Sequence, residues 1–347
     1  MERPPQTGGL FAIGKATRND SNRAMPDHVI FSYALSGPKI GKELRGEEIA
    51  EEIANDTLAW VHLDRSHPDT RIWMRQHMSY LDPNIIETLL ADETRPRATV
   101  IGEGMLVILR GVNLNEGSDL EDMVSLRLWI DEKRIISMRR RHVRAAQDIK
   151  ELIETGTVPT TSAKFLALLI DQLDDRIEAA LRLIDDSTDA VEEQLVMEAN
   201  PKLRHPITDI RRRTIQMRRH IAPQREAVGA IKSTQLAWVD MASRTRMNEA
   251  QDRLTRFVED LDAIRERAQV VKDELANALA DRLNRNTYTL SVIAAMFLPL
   301  SFATSLVATN LIGLPGEDHP NGFAMFCGIL VLLVVVQVIL FRILRWF

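Results

Sequence analysis

Seven residues near the C-terminus, Asn284, Thr287, Ser291, Ala294, Leu298, Ser301 and Ser305, recur in steps of three and four. That spacing places them on one face of a helix. All but Leu298 are polar or small, and no charged residue occurs from Asn286 to Gly316. Polar groups at membrane depth are costly unless they face water or one another. The face therefore reads as the wall of a water-filled path, or as a seam where small residues let two helices pack closely. A path needs several copies of such a helix in closed rotational symmetry. Hydroxyl and amide dipoles can organise the waters of a hydrated cation without a fixed charge, and Asn310 extends the supply. Glu317, Asp318 and His319 would form an entrance loop: repeated in each copy, the acids raise the local cation concentration, and His319 suits zinc. The alternative for that loop is a merely polar connection.

Two apolar stretches must position these groups. The first, through Asn310, is long enough to cross a bilayer core as a helix, which takes about 20 residues. The second runs from Phe323 to Phe341. Leu290, Ile293, Phe297, Leu300, Phe302 and Leu306 lie off the polar face and suit lipid or a neighbouring helix. Arg282 and Arg285 precede the first span, and Arg342 and Arg345 follow the second. The positive-inside rule then puts both chain ends in the cytoplasm, with the loop outside the cell's inner membrane.

The remainder is soluble in character. Of 347 residues, 45% are hydrophobic and 27% charged, so a small membrane part is attached to a sizeable soluble one. The net charge of -5 implies no nucleic-acid partner. Cys327 is the one cysteine, which leaves no disulfide and no thiolate zinc site within the chain. No phosphate-binding glycine loop and no nucleophile motif is found, so catalysis, and with it a catalytic residue or a cofactor, is not expected. His62, His67 and His77 match no metal-ligand spacing and read as core or surface histidines.

Strands are expected at His28–Leu35, Ala59–Asp64, Met105–Leu114, Met123–Ile130 and Arg134–Met138. Helices are expected at Gly46–Ala54, Pro68–Met78, Asp82–Ala91 and His142–Glu154, with proline-type starts at Ser66-His67-Pro68 and Asp82-Pro83. An acidic helix, Thr160–Ala199, is followed by a basic one, Arg204–Gln235, interrupted at Ala222-Pro223. Both read as solvated faces, or as partners across a moving joint, with the acids facing Arg211–Arg219. From Ala237 to Val307 the only proline is Pro299, and apolar residues recur near heptad spacing. One helix of about 100 Å is expected, of which about 30 Å is bilayer.

The segment Phe297–Gly316, FLPLSFATSLVATNLIGLPG, resembles the CorA superfamily of divalent-cation transporters, and its Leu-Pro-Gly resembles the ZntB (zinc transporter) branch. HLDRSHPD, ETRPR, GEGMLVILRGVN, MRRHIAPQRE and RNTYTLS extend the likeness from about residue 28 to the end. The Gly-Met-Asn-type signature of that family falls on Ala308, Thr309 and Asn310, of which only the asparagine is kept. The resemblance implies an α+β membrane protein and a homopentamer, with Asn310 holding a hydrated cation, most simply Zn2+, and it raises proton coupling. The chain is expected to divide into a tail over residues 1–26, a cytoplasmic α/β domain over 27–158 and a helical funnel and stalk over 159–283. A pore-lining span over 284–309, a periplasmic loop over 310–322, a second span over 323–341 and a basic tail over 342–347 complete it. A membrane-anchored oligomeric sensor or scaffold that has lost transport, or a CorA-like channel for Mg2+, Co2+ or Ni2+, are the other readings.

Overall fold

The computed structural model describes residues 25–55, 57–92, 94–308 and 320–343. They fall into two compact units. One is the chain up to Glu193 together with His205–Val270, and the other is Gln194–Arg204 with the chain from Val271 onward.

The first unit is built on a mixed six-stranded sheet. Its strands are β1 (Val29–Ala34), β2 (Ala59–Asp64), β3 (Arg97–Ile101), β4 (Gly104–Gly111), β5 (Val124–Ile130) and β6 (Arg134–Arg139). The spatial order is β1-β2-β6-β5-β4-β3. Only β2 and β6 run parallel, with Val61 opposite Ile136, and the other neighbours are antiparallel. Strands β4 and β5 are buried almost throughout, as expected of central strands covered on both faces.

Alternation along β2 shows what covers each face. Ala59, Val61 and Leu63 join Ile136 and Met138 in a core completed by α1 (Glu47–Ala54), α2 (Pro68–His77) and α3 (Pro83–Leu90), through Ile49, Ile53, Trp73, Met74, Ile86 and Leu89. On the opposite face Trp60 meets Phe165 edge-on, with ring centroids 4.8 Å apart. Both α2 and α3 start with proline, and the residue before it caps each: Asp82 Oδ1 accepts the Asn84 N–H at 2.7 Å, and His67 Nδ1 accepts the Asp69 N–H at 3.3 Å.

Helix α4 (Arg144–Glu154) completes the α/β part, and three long helices follow: α5 (Ser162–Met197), α6 (Arg204–Lys232) and α7 (Met241–Ala308). Helix α6 runs through Pro223 without a break, contrary to the interruption expected there. Proline removes one backbone hydrogen bond, but the buried row Met217, Ile221, Gln224, Val228 and Ile231 continues across it. Tertiary packing outweighs local propensity here. Helix α7 is a single helix of 68 residues, and α8 (Gly322–Ile343) follows it. These two are the described helices long and apolar enough to cross a membrane.

Strand β3 is not among the strands expected from the sequence. Its five residues alternate poorly and lie on the sheet edge, with a mostly exposed burial pattern. A signal for it does exist. Gly102, at φ 61°, and Glu103 join Ile101 to Gly104 as a two-residue hairpin.

Candidate functional site

Helix α7 carries all seven residues of the polar row on one uninterrupted element. In the single chain every one of them, Asn284, Thr287, Ser291, Ala294, Leu298, Ser301 and Ser305, lies on the open side and is exposed. The side that the chain covers is a different one: Val292 is buried, and Ala295, Leu300 and Ala303 are partly so. At about 100° per residue the centres of these two faces lie well over 90° apart. Leu290, Ile293 and Phe297, on the flank between them, are also bare, at 67%, 48% and 62% exposure. The helix thus presents one covered face, one greasy flank and one polar face.

Hydrogen bonding on α7 sharpens the chemistry. The Ser291 Oγ donates to the Thr287 carbonyl at 2.9 Å. Thr289 Oγ1 donates to the Arg285 carbonyl at 2.9 Å, and Thr304 Oγ1 lies within reach of the Leu300 and Ser301 carbonyls, at 3.1 and 2.9 Å. Such back-bonding satisfies a hydroxyl proton without water. With its proton committed to the backbone, Ser291 presents lone pairs outward. The waters around a cation point their hydrogens outward, so an acceptor at Ser291 on the polar face suits a hydrated cation.

Ala308 is the last helical residue of α7. It is in helical conformation, so the departure from glycine costs no strained backbone at that position. Thr309 and Asn310, the rest of the signature, lie outside the described residues, as do Glu317, Asp318 and His319 of the entrance loop. Helix α8 adds a polar residue to those named from the sequence. Gln337 is half-buried, and its Oε1 is buried with no hydrogen-bond partner. A lone amide in an apolar run is the signal that marks it.

The acidic helix pairs with a different partner from the one expected. Asp171 meets Arg246 at 2.6 Å, and Arg253 meets Asp175 at 2.6 Å and Glu178 at 3.3 Å. Arg267 meets Asp185 at 2.8 Å, Glu192 at 2.7 Å and also Asp189. All these arginines are on α7, and the pairs advance together along both helices, so α5 and α7 run parallel. The basic run of α6 pairs elsewhere: Arg212 with Glu121 at 2.9 Å, Arg213 with Asp209 at 2.7 Å and Arg218 with Asp262 at 2.8 Å. The expected attraction between α5 and Arg211–Arg219 is replaced by an ion-pair ladder from α5 to α7. Hydrogen bonds from Glu192 and Asp189 raise the Arg267 pKa further above its ordinary value.

Among the histidines, His62 is a core residue, as expected. Its Nδ1 lies 2.7 Å from Ser137 Oγ, which also accepts the Trp60 indole N–H at 2.8 Å. Burial pushes its pKa well below the ordinary value, with Arg139 and His142 adding to the effect.

The family model described as CorA-like Mg2+ transporter protein matches residues 55–345. The chain belongs to the CorA-like family. This CorA-like chain is 37% identical over 323 residues to the divalent cation transporter CmaX of Pseudomonas aeruginosa, covering 92% of itself and 96% of that protein. It is 34% identical over 307 residues to the zinc transport protein ZntB of Yersinia enterocolitica, covering 88% and 92%. A solved structure of full-length CmaX superposes with a TM-score of 0.78 at 36% identity, covering 92% of this chain and 98% of that one. The CorA magnesium transporter of Methanocaldococcus jannaschii, at 15% identity and a TM-score of 0.75 over 90% and 96% of the two chains, shares the fold. The CorA-like chain is therefore a membrane protein and a divalent-cation transporter, not an enzyme.

Proposed function

We propose that this CorA-like chain passes Zn2+, or a related divalent cation, through a homopentameric pore walled by the polar face of α7. The observation that carries the reading is the bare polar face, set away from the side of α7 that the chain itself covers. A face of hydroxyls and small side chains, left open in one copy, is what a ring of copies needs around a shared aqueous axis. Zinc is favoured by the likeness to ZntB. Asn310 holds the hydrated ion at the outer mouth, and Glu317, Asp318 and His319 gather cations before it. The chain is organised as an α/β domain over residues 27–158, a helical funnel over 159–283 and spans over 284–309 and 323–341. Both ends lie in the cytoplasm and the protein sits in the inner membrane. Entry of the cation runs on the membrane potential, with or without a coupled proton.

The test is uptake into liposomes carrying the purified protein, with Zn2+, Mg2+, Ni2+ and Co2+ compared in the presence and absence of a pH gradient. Zinc uptake that is lost in Asn310→Ala combined with Ser305→Leu supports the assignment, and unchanged uptake removes it. Stimulation of uptake by an inward proton gradient establishes coupling.

A further inference from the structure

His28 immediately precedes β1, His67 caps α2, and Asp69 lies in the first turn of α2. One ligand atom from each, a ring nitrogen or a carboxylate oxygen, lies within 4.8 Å of the others. Sequence spacing could not show this, because β1 and α2 are brought together only by the sheet.

His28 makes the cluster more than a coincidence of polar residues. It is only 7% exposed, and its Nε2 is buried without any hydrogen-bond partner. A buried polar atom left unsatisfied costs about 1–3 kcal/mol, so such an atom calls for a ligand. The residue is held firmly. Its carbonyl accepts the Asp64 N–H at 2.9 Å. Its ring packs against those of His67 and Trp73, with centroids 6.1 and 5.8 Å away. Burial falls off across the group, from buried His28 through half-buried His67 to exposed Asp69, which gives an ion a way in from solvent.

We propose that His28, His67 and Asp69 bind a divalent transition cation of the Zn2+, Co2+ and Ni2+ class, at a site separate from the path along α7. Two imidazoles and one carboxylate are the donor set that such ions prefer, whereas Mg2+ and Ca2+ require oxygen ligands. Three protein ligands leave the fourth tetrahedral position to water. In a tetrahedral zinc site neighbouring donors are about 3.3 Å apart, as follows from metal–nitrogen distances of about 2.0 Å. The three side chains therefore close in by small rotations on binding. The partial positive charge at the start of α2 opposes a cation. The Asp69 carboxylate, whose Oδ2 lies 3.8 Å from His67 Nδ1, supplies the offsetting negative charge.

The experiment is metal binding to untagged full-length protein in detergent. Zn2+ stoichiometry is read by equilibrium dialysis, and Co2+ substitution by its visible absorption. The variants are His67→Asn, in which asparagine retains the helix cap, the isosteric Asp69→Asn, and His28→Gln. The wild type is expected to bind one more Zn2+ per chain than the variants, with affinity at this site falling at least about tenfold in each. Millimolar Mg2+ leaves the site occupied. Asn310→Ala combined with Ser305→Leu retains this ion, so a wrong pore assignment and a wrong site assignment give different results. Equal stoichiometry and affinity in His67→Asn and Asp69→Asn overturns the site, whether or not His28→Gln folds. Displacement of the ion by Mg2+ overturns the proposed class.

Discussion

His220 offers a quantitative check on the electrostatics of the first unit. It lies on α6 and shares a cleft of about 690 Å³ with Arg95, Arg110 and Arg219. Burial is the largest influence on the imidazole, and the charges of Arg110, Arg219 and Arg95 add to it, lowering its pKa from 6.5 to about 4. The Nδ1 atom is buried without a hydrogen-bond partner. A lowered pKa in the folded state means that the unfolded chain takes up the proton first. Stability is intact above pH 6.5 and is lost as the pH falls from 6.5 towards 4. A pKa difference of one unit is about 1.36 kcal/mol, so the full loss is about 3 kcal/mol, of which about 2 kcal/mol falls between pH 7 and 5. His220→Gln removes the titration and leaves every other group in place. The difference between variant and wild type should therefore grow by about 2 kcal/mol from pH 7 to pH 5. That corresponds to about 4–8 °C in Tm for a unit of this size. The assay is thermal unfolding in detergent, followed by tryptophan fluorescence at matched ionic strength. Parallel pH profiles for the two proteins would mean that His220 does not titrate differently in the folded and unfolded chains.

Two further outcomes follow from the long helices. Asp174 on α5 is fully buried, with neither carboxylate oxygen hydrogen-bonded, and burial raises its pKa well above the ordinary value. Its contribution is present at low pH and is lost as the pH rises through the raised pKa, so Asp174→Asn should gain about 1–3 kcal/mol over the wild type by pH 8, read as a rising Tm difference. Arg267 holds three carboxylates of α5 at a partly exposed position. Exposed pairs contribute about 0.2–1 kcal/mol each, so Arg267→Ala should cost about 1–2 kcal/mol, and the cost should shrink in high salt.

What is legible in the sequence depends on which signals are local. The spans announce themselves, because a long run without charge suits a membrane helix and little else, and α7 is one helix because no proline interrupts its charged stretch before Pro299. Strands β2 and β4 to β6 are evident as short apolar runs. Strand β3 is not, since an exposed edge strand buries too little to enforce a pattern, and its only mark is the Gly102-Glu103 hairpin. Pro223 misleads because packing carries α6 across it. The acids of α5 point, by sequence proximity, to the nearest basic run. Their actual partners are arginines about 75 residues away on α7, a register that only the packing of parallel helices sets. The pairing of His28 with His67 and Asp69 is hidden for the same reason: it depends on β1 lying beside β2. The family, by contrast, is readable from the single segment around Pro299 and Asn310.

Site-directed thiol labelling reads whether the polar face of α7 borders water. Cys327 is the only cysteine, so Cys327→Ala gives a clean background. Single cysteines are placed at Thr287, Ser291, Ala294, Ser301 and Ser305, and for comparison at Leu290, Ile293 and Phe297, in protein held in liposomes. A membrane-impermeant thiol reagent is expected to modify the first set, with protection by Zn2+, and to spare the second. Modification of the second set with the first left untouched would mean that the greasy flank, not the polar face, borders water.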